Sequence, residues 1–189
     1  MVGRKGYHAA TVDDIAEEAG YTKGAFYSNF ESKEDVFLEL VADRSRNWTV
    51  AVARAYEADA PLPERLQRGG EVLTRMVEEN VDWMLLSSEM LSLCVREPQL
   101  RERLAAAYED CRQIISTVVG QVERDFGIRL PIPSDQVGTL TMAMTDGFVF
   151  QRLADPDRLP SSLLAAGINL LINGLLAVAA GLPRENSDA

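Results

Sequence analysis

The sequence predicts an all-α protein, on three observations. Its apolar-periodic stretches are divided by helix-type punctuation at Gly20, Glu31-Ser32, Ala60-Pro61, Glu97-Pro98, Gly127 to Pro133 and Asp155 to Ser161. No stretch sustains the apolar–polar alternation that marks a half-buried strand. Two short helices joined at Gly20-Tyr21 open the chain, in the manner of a helix-turn-helix, and longer helical segments follow.

Each element has a local cause. Val12–Ala19 is expected as a helix capped by Thr11, with Asp13 and Asp14 favourable at the positive end of its dipole. Thr22 caps a second, Lys23–Phe30. Ser32, with Asp35 three residues on, opens a long helix in a capping-box-like manner, running to about Tyr56. Pro63–Glu79, Val81–Leu93, Gln99–Phe126, Asp135–Arg152 and Ser162–Ala180 complete the set.

Bulk properties exclude several functions. With 47% hydrophobic and 25% charged residues over 189 positions, the chain can bury a proper core. A single histidine (His8), no metal-ligand cluster and no Gly-rich phosphate loop leave no catalytic constellation, so neither an enzyme nor a cofactor is expected. Cys94 and Cys111 match no metal spacing and are expected as buried, reduced thiols. No basic, then apolar leader opens the chain, and a cytoplasmic location is expected. The net charge of −10 opposes non-specific DNA binding. Residues 1–56, however, carry 7 Lys/Arg against 9 Asp/Glu, a net of −2, so the acidity lies mostly beyond the first helices.

In the first short helix Val12, Ile15, Ala16 and Ala19 share one face, and Asp13, Asp14, Glu17 and Glu18 the other. In the second, Phe26 and Phe30 stand one turn apart and must point inward. Lys23, Gly24, Ala25, Tyr27, Ser28 and Asn29 remain for the outside. Small residues at its start permit close approach to phosphate, Tyr27 and Ser28 can donate, and Lys23 and Lys33 supply charge. A plain helical hairpin with a solvated face would show the same pattern.

The run from Thr11 through Ile15-Ala16, Ala19-Gly20, Thr22, Gly24, Tyr27 and Phe30 to Ser32-Lys33 and Phe37 resembles the DNA-binding region of the tetracycline-repressor (TetR) family. That resemblance implies Lys23–Phe30 as recognition helix, with Thr11, Thr22, Lys23, Gly24, Ala25, Tyr27, Ser28 and Asn29 at the DNA and Lys33 as a phosphate anchor. Asn29 stands where the family usually has histidine. Arg96 to Arg101 and Asp146-Gly147 resemble stretches of the family's ligand-binding part. The family also has a helix of about four turns ahead of Gly6-Tyr7, where only Met1–Lys5 stand; a stretch upstream of Met1 is expected to supply it. Without such a helix Ile15, Phe26 and Phe30 would stay wet, at about 1.5–3 kcal/mol each.

Ser162–Ala180 carries no charge, and Leu163–Leu182 is long enough to span a bilayer. Asn169, Asn173 and the absence of basic flanks argue instead for burial in protein. Gly167 and Gly174 at heptad spacing, with Leu170, Leu171 and Val178, are the expected homodimer contact, closing a four-helix bundle with Asp135–Arg152. Met76, Trp83, Met84, Glu89, Tyr108, Met142, Asp146 and Phe148 are expected to line a pocket, with Met90 and Met144 as further candidates. For any one of them plain core packing is the competing assignment. A helix-turn-helix region (1–46) is thus expected before a sensing and dimerisation region (47–189). The whole is expected to be a repressor taking double-stranded operator DNA and a small apolar or aromatic effector. The alternative is a small-molecule-binding helical protein without DNA binding.

Overall fold

The computed structural model describes Tyr7, residues 10–56 and residues 60–181. His8 lies outside the described residues. Among them the chain is helical, with no strand, in eight elements: α1 (Val12–Glu18), α2 (Lys23–Tyr27), α3 (Lys33–Tyr56), α4 (Leu62–Glu79), α5 (Val81–Cys94), α6 (Pro98–Phe126), α7 (Ser134–Ala154) and α8 (Ser162–Gly181).

Local chemistry sets the ends. Thr11 Oγ1 accepts the Asp14 N–H at 3.1 Å while Asp14 Oδ2 accepts the Thr11 N–H at 3.0 Å, a reciprocal capping box on α1. Gly20 takes φ +73°, which lets the Tyr21 N–H close on the Ala16 carbonyl at 2.8 Å and turns the chain into α2. The α2 helix ends at Tyr27 rather than at Phe30, because Ser28 and Asn29 turn their side chains back onto the Ala25 carbonyl. Gly127 (φ +59°) stops α6, with the Ile128 N–H on the Glu123 carbonyl at 3.0 Å.

The long helices α3 and α6 form the central pair. Against it pack α4 on the α3 side and α7 on the α6 side, while α8 packs on α4 and α5 on α6. One core cluster joins Tyr7 and Ala10 to Phe37, Leu38 and Val41 of α3, Trp83, Leu86, Met90 and Cys94 of α5, and Leu104 of α6. Burying side chains such as Phe37 and Leu38 stabilises the fold by about 1.5–3 kcal/mol each. A second cluster joins Leu73 and Val77 to Met84, Leu164, Ala165 and Ile168. In the reader, Phe26 is buried and Ile15 packs against the core that holds Tyr7, so these side chains are not left wet. Phe30 is half-buried, its ring 5.7 Å from that of Phe26.

The apolar helix α8 is only partly covered within one subunit. It is long and apolar enough to cross a membrane by length and composition, and most of it is not buried in the single subunit. Leu163, Leu170 and Val178 of α8 are exposed, as are Leu140 and Phe150 of α7. The glycines differ in what surrounds them within the subunit. A Cβ on Gly167 would meet Met144 Cε of the same subunit at 3.1 Å, whereas one on Gly174 or Gly181 would meet nothing within 4 Å. An α-helix drifts only about 20° per heptad, so the three stay near one face, and what differs is the neighbour each meets along α8.

Candidate functional site

The reader is built on α2. Thr22 caps it through Oγ1, which accepts the Ala25 N–H at 3.2 Å. Thr11, Thr22, Lys23, Gly24, Tyr27, Ser28 and Asn29 lie exposed around it, with Ala25 half-buried. Tyr27 packs its ring edge-to-face on Phe26 at 5.3 Å, which sets the direction of its exposed hydroxyl. Lys23 Nζ stands 3.1 Å from Asp13 of α1, an exposed pair.

Lys33 is placed otherwise than as a free phosphate anchor. Its Nζ donates to the backbone carbonyls of Tyr7 (2.9 Å) and Ala10 (3.0 Å) and sits 4.2 Å from the centroid of the Tyr7 ring. The ammonium therefore holds the segment that enters the reader. Tyr7 is held from three further sides: its ring is T-stacked on Phe37, its hydroxyl donates to Glu34, and its N–H donates to Glu89 Oε2 at 2.7 Å.

Between the helices lies a cavity of about 250 Å³. Each of the helices α3 to α8 contributes to its wall. Met76, Trp83, Met84, Tyr108, Met142 and Asp146 line it, as the sequence suggested for a pocket. Glu89 and Phe148 do not. On α5 the wall is formed by Trp83, Met84, Ser87, Ser88 and Leu91, and Glu89 points off that face to the Tyr7 N–H. On α7 it is formed by Val137, Thr141, Met142, Thr145, Asp146, Val149 and Phe150, a stripe recurring at three- and four-residue spacing. Phe148 and Met144 fall outside that stripe and pack into the Leu73–Ile168 cluster instead. Met90 is core, 1% exposed.

The sequence reading missed the contribution of α3. Val41, Ser45, Trp48, Thr49, Val52 and Tyr56 form one continuous side of the cavity. Their spacing of three or four residues was a visible signal, but it does not distinguish a cavity wall from ordinary core.

Asp146 is the one formally charged residue in the described lining. Tyr108 donates its hydroxyl to Asp146 Oδ2 at 2.8 Å. Burial pushes the Asp146 carboxyl above the usual range, and the Tyr108 hydrogen bond offsets part of that rise. Burial, followed by the Asp146 charge and their hydrogen bond, likewise pushes the Tyr108 phenol up. Burial raises Tyr56 to about 12 and also raises the Cys111 thiol, so neither ionises near neutral pH. Trp48 and Trp83 meet edge-to-face at 6.1 Å, and the Arg44 guanidinium lies over both rings, at 5.2 and 4.9 Å, behind the wall.

A short helical reader, a long helix leading from it, and an apolar cavity walled by the helices beyond define a helix-turn-helix transcriptional regulator with a ligand-sized cavity. Residues 1–40 match the bacterial regulatory proteins of the tetR family, and residues 63–177 match the C-terminal part of BetI-type transcriptional repressors. The chain belongs to the TetR family of transcriptional regulators.

It is 28% identical over 124 residues to the HTH-type transcriptional activator FasR of Mycolicibacterium smegmatis, a match covering 66% of this chain and 54% of FasR. It is 29% identical to the HTH-type transcriptional repressor AcnR of Corynebacterium diphtheriae, over 79% of this chain and 73% of AcnR. In fold it is similar to the regulator FadR from Bacillus subtilis in complex with stearoyl-CoA, with a TM-score of 0.68, 17% identity and 92% of both chains covered.

Proposed function

We propose that this regulator is a repressor that binds a near-palindromic operator as a homodimer and releases it when a small apolar or aromatic effector enters the cavity. The observation that carries this is the double role of α3. Its first turn, at Lys33, holds the entry to the reader, and from Val41 to Tyr56 it walls the cavity. A ligand that prefers one tilt of α3 over another therefore biases the position of the recognition helix. A coupling of about 1–3 kcal/mol would weaken operator binding five- to 150-fold. Residues 1–46 act as reader and 47–189 as sensor and dimer part, although α3 runs unbroken through that division. The exposed apolar faces of α7 and α8 suit a second copy related by a two-fold axis. A role on DNA supports the expected cytoplasmic location.

The test is selection of binding sites from random-sequence duplex DNA with the full chain. Inverted repeats should emerge with half-sites about one helical turn apart, or a multiple of it. The second reading, a ligand-binding protein without DNA binding, draws on the internal pairing of Lys23 with Asp13 and of Lys33 with Tyr7 and Ala10. It requires that no sequence be enriched at all.

A further inference from the structure

The cavity wall has a polarity that its apolar character hides. Thr49, Ser87, Ser88, Thr141 and Thr145 all line it, and all donate their hydroxyl protons to carbonyls of their own helices. The partners are Ser45, Trp83, Leu85, Val137 and Thr141, at 2.7 to 2.9 Å. With their protons so directed, these oxygens can turn lone pairs toward the interior, Thr49 beside the Cys111 thiol, and Ser45 of the same wall can turn its hydroxyl either way. Asp146 adds a carboxylate whose Oδ2 takes the Tyr108 proton and whose Oδ1 has no partner among the described residues. No Lys or Arg nitrogen of the described residues lies within 4.0 Å of that carboxylate, and Arg44 stays behind the tryptophan rings. A carboxylate in an apolar chamber without a counter-ion is costly, and a cation brought in by a ligand would offset that cost.

We propose that the effector is an apolar molecule ending in a protonated amine, whose N–H groups are received by Asp146 and the hydroxyl oxygens of the wall. This rests on the cavity being the effector site and adds the chemistry of the effector's polar end. Asp146 also disfavours anionic amphiphiles, since a carboxylate or phosphate would meet its charge. The wall supplies no cation to hold it.

Both tryptophans of the chain, Trp48 and Trp83, line the cavity, so intrinsic fluorescence reports its occupancy. The experiment titrates full-length protein at pH 7 with three ten-carbon probes below their aggregation thresholds: decylamine, decanol and decanoate. The amine is protonated there, as a lysine is. Decylamine should bind about tenfold or more tightly than decanol, and decanoate about tenfold or more weakly than decanol. In Asp146→Asn the three should converge to within about threefold, with decanol affinity retained. Tyr108→Phe removes the hydrogen bond that offsets part of the rise at Asp146, so it should weaken the preference for the amine without reversing it, which covers the case of Asp146→Asn failing to fold. Equal affinities in the wild type, or a preference for decanoate, would overturn the amine assignment while leaving the cavity as an effector site. No fluorescence response to any of the three would overturn the effector site itself.

Discussion

The backbone N–H of Tyr7 donates to Glu89 Oε2 at 2.7 Å, across 82 positions of sequence. Glu89 sits on α5 between Ser88 and Met90: Ser88 faces the cavity, and Met90 is packed in the core that also holds Tyr7. One helix thus touches both the effector chamber and the segment that enters the DNA reader. This contact and the α3 connection form two parallel routes between sensor and reader.

Removing the Glu89 acceptor tests the α5 route. Tyr7 is buried, and a buried donor deprived of an acceptor costs about 1–3 kcal/mol. Glu89→Ala should lower stability by that amount in urea unfolding and also reduce the effect of ligand on DNA affinity. An unchanged ligand effect in a variant of normal stability would leave α3 as the sole route.

The two lysines of the reader should part company in their salt dependence. Lys23 is exposed near the start of α2, so Lys23→Ala should flatten the slope of log affinity against log salt by about 0.9 if it meets a phosphate. Lys33 is engaged with the Tyr7 and Ala10 carbonyls. Lys33→Ala should instead cost about 1.5–3 kcal/mol of stability, the range for hydrogen bonds to charged groups, and leave the salt slope unchanged. Anisotropy titrations at several salt concentrations separate the two, and a flattened slope for Lys33→Ala would return it to the DNA.

Gly69 of α4 is a packing requirement. A Cβ there would stand 2.2 to 2.8 Å from three ring atoms of buried Tyr56. Alanine improves helix propensity by about 1 kcal/mol, but overpacking costs about 1–3 kcal/mol, so Gly69→Ala should be net destabilising. Tyr56 also walls the cavity, so probe affinity should change with it. Thermal unfolding showing a raised Tm would contradict this packing.

Gly174 is the opposite case, with open space around its missing Cβ. Gly174→Leu should be harmless to a single subunit. If α8 meets its copy there, the substitution introduces a clash of about 1–3 kcal/mol at each of two symmetric contacts and should shift the dimer toward monomer. Light scattering at micromolar concentration reads the outcome, and a monomeric wild type would refute the dimer.

Helix class, helix order and the position of the reader were legible in residues whose signals are local. Thr11 with Asp14, Thr22 with Ala25, and the left-handed turn at Gly20 act within a few positions, so their hydrogen bonds follow from sequence spacing alone. Trp83, Met84, Tyr108, Met142 and Asp146 were legible by residue type, as adaptable or aromatic side chains and one acid within an apolar run, and they line the cavity. What a buried face meets is not local. Only the tertiary structure decided that Lys33 closes on Tyr7 and Ala10, that Glu89 serves the same segment, and that Phe148 packs in core while Asp146 reaches the cavity. These outcomes depend on contacts between residues 23 to 82 positions apart and on small rotations of each helix about its axis. Spacing along one helix specifies which side chains share a face; the helices packed against that face determine whether they find a partner, a core or a cavity.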